Sequence, residues 1–286
     1  MSQIGEKDFR VLVPLALESA GEEEVLASLG YLVRGIKGPV HFRLYHALRP
    51  ESLRLSWSRE GSFLQQIELL RAAAETKLQQ YVALLRERLP ASAQVDIWVE
   101  SQEVADPADE IVAYLQREAF TLMVTTFKHR KKWERFFGTT TLWDLLEKAP
   151  VPLLLVPNPL TLPPRRILWA TELKPEEYRI LHTLIPLIRQ WNATLYCVRV
   201  NTPYRFQTHR GFQRHVLDLC DYIIEHVDPE FVPEECLLYA DKNLSEGILH
   251  AAQDFMMDIV ALHGAEVEAK IVDAFMEQGL PLLFLR

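Results

Sequence analysis

The densest chemistry in this sequence lies between Lys128 and Thr141, in the run KHRKKWERFFGTTT. Lys128, His129, Arg130, Lys131, Lys132 and Arg135 crowd one short segment, and Gly138, Thr139, Thr140 and Thr141 follow as a turn that opens a helix. The first backbone N–H groups of a helix have no partner within it and sit at the positive end of its dipole, so a turn of this kind is suited to an anion. The cations read in two ways, as side chains that hold a phosphate or a partner's acidic surface, or as a solvated loop. Trp133, Phe136 and Phe137, set among the charges, either stack on a base or anchor the loop to a sheet edge.

Outside this segment the reactive residue types are thinner. Glu172 is the carboxylate at the end of a strand, where it can accept from a ligand or cap the helix beginning near Pro175. His209, His215, Asp218 and Cys220 lie near one long helix, but their spacing does not give the i, i+4 pairs that would put ligands on one face, and no metal site is expected. Ser19 and Ser245 lack the Gly-x-Ser-x-Gly surroundings of a nucleophile elbow, so a hydrolase serine is unsupported. The three cysteines, Cys197, Cys220 and Cys236, are scattered, form no Cys-x-x-Cys pair and suit a reducing cytoplasm.

The elements that must position these residues alternate. Phe9 to Leu15 is a short apolar strand of the fully buried, parallel kind. Ser19 and Glu22 read as a capping box for a helix carrying Val25, Leu29, Leu32 and Ile36 on one face. A strand at Val40 to His46, a loop from Arg49 to Gly61, a long helix led by Ser62 and Gln65 and ended by Pro90, a strand at Val95 to Val99, a helix at Ala108 to Arg117 and a strand at Thr121 to Thr126 follow. The basic segment then supplies a helix and the strand PLLLV. The prolines of PNPLTLPP break the chain, and the same order begins again: RILWAT, a helix from Pro175, a strand at Thr194 to Val200, a helix through Phe212 and Val227, a strand at Cys236 to Ala240, a helix at Leu244 to Phe255, a strand at Asp258 to Leu262, a helix at Glu266 to Glu277 and PLLFL. Such alternation predicts an α/β fold of two tandem parallel five-stranded sheets flanked by helices. The expected domains are 1–157 and 165–286, joined by a linker at 158–164, and the repeat of a whole domain points to tandem duplication.

Composition sets the outer bounds. Of 286 residues, 49% are hydrophobic and 24% charged, which is the balance of a folded chain. A formal net charge of −8 argues against general nucleic-acid binding, which needs a surplus of Lys and Arg. No apolar run has the length of a membrane span, and MSQIGEKDFR lacks the apolar core of a signal peptide. The expected location is the cytoplasm.

The openings RVLVPLA and RILWATEL, the Gly138-Thr139 turn after a loop and the closing Pro-Val-Pro strand resemble the universal stress protein family in its tandem form. The resemblance implies a Rossmann-like, adenine nucleotide alpha hydrolase-like fold, with any ligand over the carboxyl ends of the strands. Members that hold ATP use an Asp at the end of the first strand and a loop Gly-x-x-Gly, nine residues, then Gly-Ser or Gly-Thr. Here the Asp position holds Ala16 in the first half and Glu172 in the second. The loop glycines fall on Thr125 and Lys128, or, one residue on, Thr126 and His129. The second half keeps no Gly-Thr turn before Ile271. The resemblance therefore implies a non-catalytic stress-response or regulatory binding module with degenerate ATP motifs and no cofactor, the alternative being an ATP binder with slow hydrolysis. Gly138, Thr139, Thr140, Lys128 and Glu172 are the candidate nucleotide or anion contacts. The expected partners are the two halves for each other as a pseudo-dimer through PLLLV and PLLFL, a second copy as homodimer, and a protein that docks on the basic loop.

Overall fold

A computed structural model of the chain describes residues 8–17, 22–48, 63–100, 106–126, 143–263 and 269–286. The chain divides into two compact units, Met1–Leu153 with Pro159–Thr161 and Leu154–Asn158 with Leu162–Arg286. The first half opens on β1 (Phe9–Pro14), whose Val11, Leu12 and Val13 are all buried, as a central parallel strand requires. It continues through α1 (Glu22–Val33), β2 (Val40–Ala47), α2 (Phe63–Arg86), β3 (Ala93–Glu100), α3 (Pro107–Arg117), β4 (Leu122–Thr126), α4 (143–148) and β5 (Leu153–Val156).

The second half repeats this order. β6 (Arg166–Ala170) leads through a 3₁₀ turn (Pro175–Ile180) into α5 (Leu181–Trp191), β7 (Thr194–Asn201) and α6 (His209–Tyr222), which ends in a π-helical turn (Ile223–Val227). β8 (Glu235–Ala240), α7 (Leu244–Asp254), β9 (Ile259–His263), α8 (Ala269–Glu277) and β10 (Leu282–Leu285) complete it. The helix expected from Pro175 thus starts as a tighter 3₁₀ turn, and the expected helix at Glu266 is described from Ala269 onward. Among the described residues no helix is long and apolar enough to cross a membrane.

The first-half strands run in the order β3-β2-β1-β4-β5 and their repeats in the order β8-β7-β6-β9-β10. β1 lies parallel to β2 from Phe9 against Val40 to Pro14 against Tyr45, and parallel to β4 at Val11 against Leu122. β6 lies likewise between β7 and β9, with Ile167 against both Leu195 and Ile259. In each half the chain builds outward on one side of its first strand and then crosses to the other. Loops leaving the carboxyl ends on either side of such a reversal diverge and leave a crevice.

Local signals fix the helices around that crevice. Asn243 caps α7 by accepting at Oδ1 from the Glu246 N–H at 2.8 Å, and Thr208 caps α6 by accepting from Gly211 N–H at 3.2 Å. Asn192 ends α5 in the left-handed conformation at φ 51°. Gly247 lets α7 press against β7, since a Cβ there would stand 2.4 Å from Val200 Cγ1.

Candidate functional site

A cavity of about 1140 Å³ opens over the carboxyl ends of β6, β7 and β9. Its floor is Ala170, Val198, Val200 and Leu262, and its rim carries Lys174, Arg199, Arg205 and Lys270 beside the carboxylates Glu172, Glu177 and Glu246. The first turn of α7, with Ser245, forms one wall. The topology places this cavity: it occupies the reversal of strand order in the second half, between β6 and β9.

Glu172 follows the end of β6, and its carboxylate is engaged on both oxygens. Oε2 meets Lys174 Nζ at 2.8 Å and Oε1 accepts from Arg205 Nη1 at 2.7 Å. Arg199 on β7 donates to the Glu172 carbonyl. Burial alone would raise the pKa of this carboxyl, but the hydrogen bond from Lys174 and the charges of Lys174, Arg205 and Arg199 outweigh it and hold it below the usual carboxylate value. Glu172 is thus a fixed anion that orders the surrounding cations.

Beneath it lies a second carboxylate that sequence reasoning missed. Glu177, in the 3₁₀ turn, is buried; its Oε2 accepts from the Thr171 hydroxyl and, at 3.0 Å, from the Glu172 N–H. Thr171 Oγ1 in turn accepts from Leu173 N–H at 2.8 Å, and Leu173 takes φ 57°. The Tyr178 hydroxyl donates to the Leu173 carbonyl at 3.1 Å. These bonds hold the strand end in a conformation that a leucine resists by itself.

Opposite Glu172 stands a hairpin at the end of β7. Thr202 and Arg205 exchange backbone hydrogen bonds, each of 3.1 Å, and the Asn201 side chain clamps Gln207 from both sides, donating to its carbonyl at 2.8 Å and accepting from its N–H at 3.0 Å. Between these fixed points Tyr204 is 94% exposed and Phe206 76%, and both line the cavity with Arg205.

The first half offers the counterpart of this turn without its charge. Ala16 stands where Glu172 does, and Leu17 takes φ 65°. Glu22, read in sequence as half of a capping box, is buried; Oε1 accepts from the Ala16 N–H at 2.9 Å and Oε2 from the Tyr81 hydroxyl at 3.3 Å. Of the sequence candidates, Lys128, Gly138, Thr139 and Thr140, with the rest of the basic loop and Ser19, lie outside the described residues; Glu172 is at the cavity.

The histidines and Asp218 are not gathered into a site. His215 Nδ1 lies 3.0 Å from Gln207 Nε2, and His209 Nε2 3.1 Å from Gln213 Nε2. Among the described residues no group of three or more His, Cys, Asp or Glu could hold a metal ion. The cysteines, scattered in sequence, are drawn together by the sheet: Cys197 on β7 is the register partner of Cys236 on β8. Cys220 on α6 lies close enough to both to act on them electrostatically.

Known proteins bear directly on this arrangement. Residues 37–157 match the universal stress protein family. These residues carry a universal stress protein domain. A universal stress protein from Archaeoglobus fulgidus DSM 4304 superposes with a TM-score of 0.68 at 12% identity, over 96% of this chain and 95% of its own. A functionally unknown protein from Pseudomonas aeruginosa PAO1 does so with a TM-score of 0.56 at 16% identity, over 98% of this chain and 93% of its own. Both likenesses cover the second half as well as the first, and the second half repeats the strand order of the first. No curated protein matches the chain.

Proposed function

We propose that this tandem universal stress protein is a regulatory binding module without catalytic turnover, and that its second-half cavity receives a small anionic ligand. The observation that supports this reading is the double engagement of Glu172 by Lys174 and Arg205. A general base must be able to take up a proton near neutral pH, and a carboxylate held below its ordinary range is poorly suited to that. The same ion pairs fix two cations at the rim, where they can meet an incoming anion without first being ordered. The degenerate motifs support the reading from the other half: Ala16 has no carboxylate for a nucleoside, and the buried Thr125 stands where the ATP-holding pattern has glycine.

A second reading, ATP binding with slow hydrolysis, draws on the room in the cavity, about 1140 Å³, and on its four rim cations Lys174, Arg199, Arg205 and Lys270. Calorimetry of the full chain with magnesium-ATP, AMP and inorganic phosphate, paired with a phosphate-release assay, separates the two. The regulatory reading expects binding that weakens about tenfold in Arg205→Ala, consistent with loss of one charge-assisted contact, and no phosphate release above the protein-free rate. Release that disappears in Glu172→Gln would replace it with the second reading. Absence of heat with all three ligands would overturn both.

A further inference from the structure

The arrangement of the second-half thiols carries an inference independent of the cavity ligand. Cys197 and Cys236 face each other across neighbouring parallel strands, in register. Adjacent strands lie about 4.8 Å apart, which is inside the span of about 4.4–6.8 Å between Cα atoms that a disulfide bridges. β8 is the outermost strand in the order of its unit, so Cys236 is partly exposed while Cys197 is buried. One thiol can therefore meet a solute and the other waits behind it.

We propose that Cys236 and Cys197 form a peroxide-reactive dithiol that closes to a disulfide between β7 and β8. Exposure divides the roles, since Cys236 is partly open to solvent and Cys197 is not. Interaction with Cys197 draws the pKa of Cys236 down against the opposing effects of burial and Glu235. Interaction with Cys236, together with burial, pushes the pKa of Cys197 up, and burial pushes that of Cys220 up. The thiolate is the nucleophile in sulfur chemistry, so Cys236 attacks first. Its sulfur takes one oxygen of hydrogen peroxide; the O–O bond breaks and the other oxygen leaves as hydroxide, which is protonated to water. Cys197 then gives up its proton and attacks the sulfur of the resulting sulfenic acid, the S–O bond breaks, and the leaving hydroxide takes that proton. Two thiols are oxidised and one peroxide is reduced to two waters. Cys220 is a bystander.

The test uses the full chain, hydrogen peroxide as oxidant and peptide mapping without reduction. The expected result is loss of two of the three thiols, recovery of a Cys197–Cys236 linked peptide, and return of both thiols with dithiothreitol. Cys220→Ser leaves the linkage intact. Cys236→Ser removes it and slows the oxidation of Cys197 by about tenfold or more, since no low-pKa thiol remains to start the reaction. Cys197→Ser stops at a sulfenic acid on Cys236, captured by a dimedone-type reagent. Should a core serine prevent folding, alkylation of the unsubstituted chain decides the point: Cys236 is expected to react before Cys197 and Cys220. A disulfide that includes Cys220, equal reactivity of all three thiols, or overoxidation without linkage would overturn the proposal.

Discussion

The ends of β1 and β6 show one backbone carrying two chemistries. In both, a leucine stands at positive φ, Leu17 and Leu173, and a buried glutamate from the following helical turn accepts the N–H of the residue before it. That residue is Ala16 in one half and Glu172 in the other. The tyrosine that steadies the turn also differs: Tyr81 reaches Glu22 from α2, whereas Tyr178 reaches the Leu173 carbonyl from the 3₁₀ turn itself. The glutamate and the backbone shape are thus shared scaffolding, while the charge at the strand end is particular to the second half. Where the halves agree the fold is served; where they disagree the proposed ligand site differs.

Removing the shared carboxylate is the most severe way to test that division. Glu177→Ala leaves the Glu172 N–H and the Thr171 hydroxyl without it, and Glu22→Ala does the same to the Ala16 N–H and Tyr81. Each substitution is expected to cost about 3 kcal/mol in urea unfolding, because a buried donor is left uncompensated. A loss under about 1 kcal/mol in one half alone would show that the tether is not common to both. The leucines should separate more sharply. Glycine relieves the left-handed backbone at either position, but Leu173 is buried and Leu17 only partly so. Leu173→Gly is expected to lower stability by about 2 kcal/mol as apolar burial outweighs relieved strain, and Leu17→Gly to stay within about 1 kcal/mol of neutral.

The smallest effect is electrostatic and belongs to one half. Because Glu172 is held below the ordinary carboxylate value, its ion pairs stabilise the fold fully above that value and cease to do so as pH falls through the lowered one. The stability difference between the unsubstituted chain and Glu172→Gln is therefore expected to be constant near neutrality and to vanish in acid. Its size is under about 1 kcal/mol, since the pairs are partly solvated. Ala16 has no such limb, so a first-half substitution such as Ala16→Ser is expected to show no matching acid-dependent difference. Urea titrations at neutral and acid pH measure both.

The fold was legible because burial leaves a pattern. Apolar runs such as Phe9 to Leu15 and Arg166 to Thr171, helical stripes, and the prolines between the halves announce a duplicated parallel sheet. Glu172 was legible as the carboxylate at a strand end, and the structure places it at the cavity over the carboxyl ends of the sheet. Glu22 and Glu177 were harder to see in that role. Their partners include backbone N–H groups, which every residue but proline supplies, so no residue type marks the bond. Arg199 and Arg205 carry no mark in the sequence, and only the folded hairpin and sheet bring them to Glu172. The juxtaposition of Cys197 and Cys236 leaves no mark in their spacing, because a parallel register joins residues separated by an entire helix. The basic loop, with Lys128 and Gly138 to Thr140, lies outside the described residues.

The clamp of Asn201 on Gln207 has a kinetic consequence. It holds Tyr204, Arg205 and Phe206 in place at one side of the cavity, so the proposed anion would meet a rim already set there. If this rim limits entry, the observed association rate is expected to rise linearly with ligand concentration in stopped-flow mixing, without the plateau of a slow closure step. In Asn201→Ala the hairpin must be ordered with each encounter, and a plateau is expected to emerge.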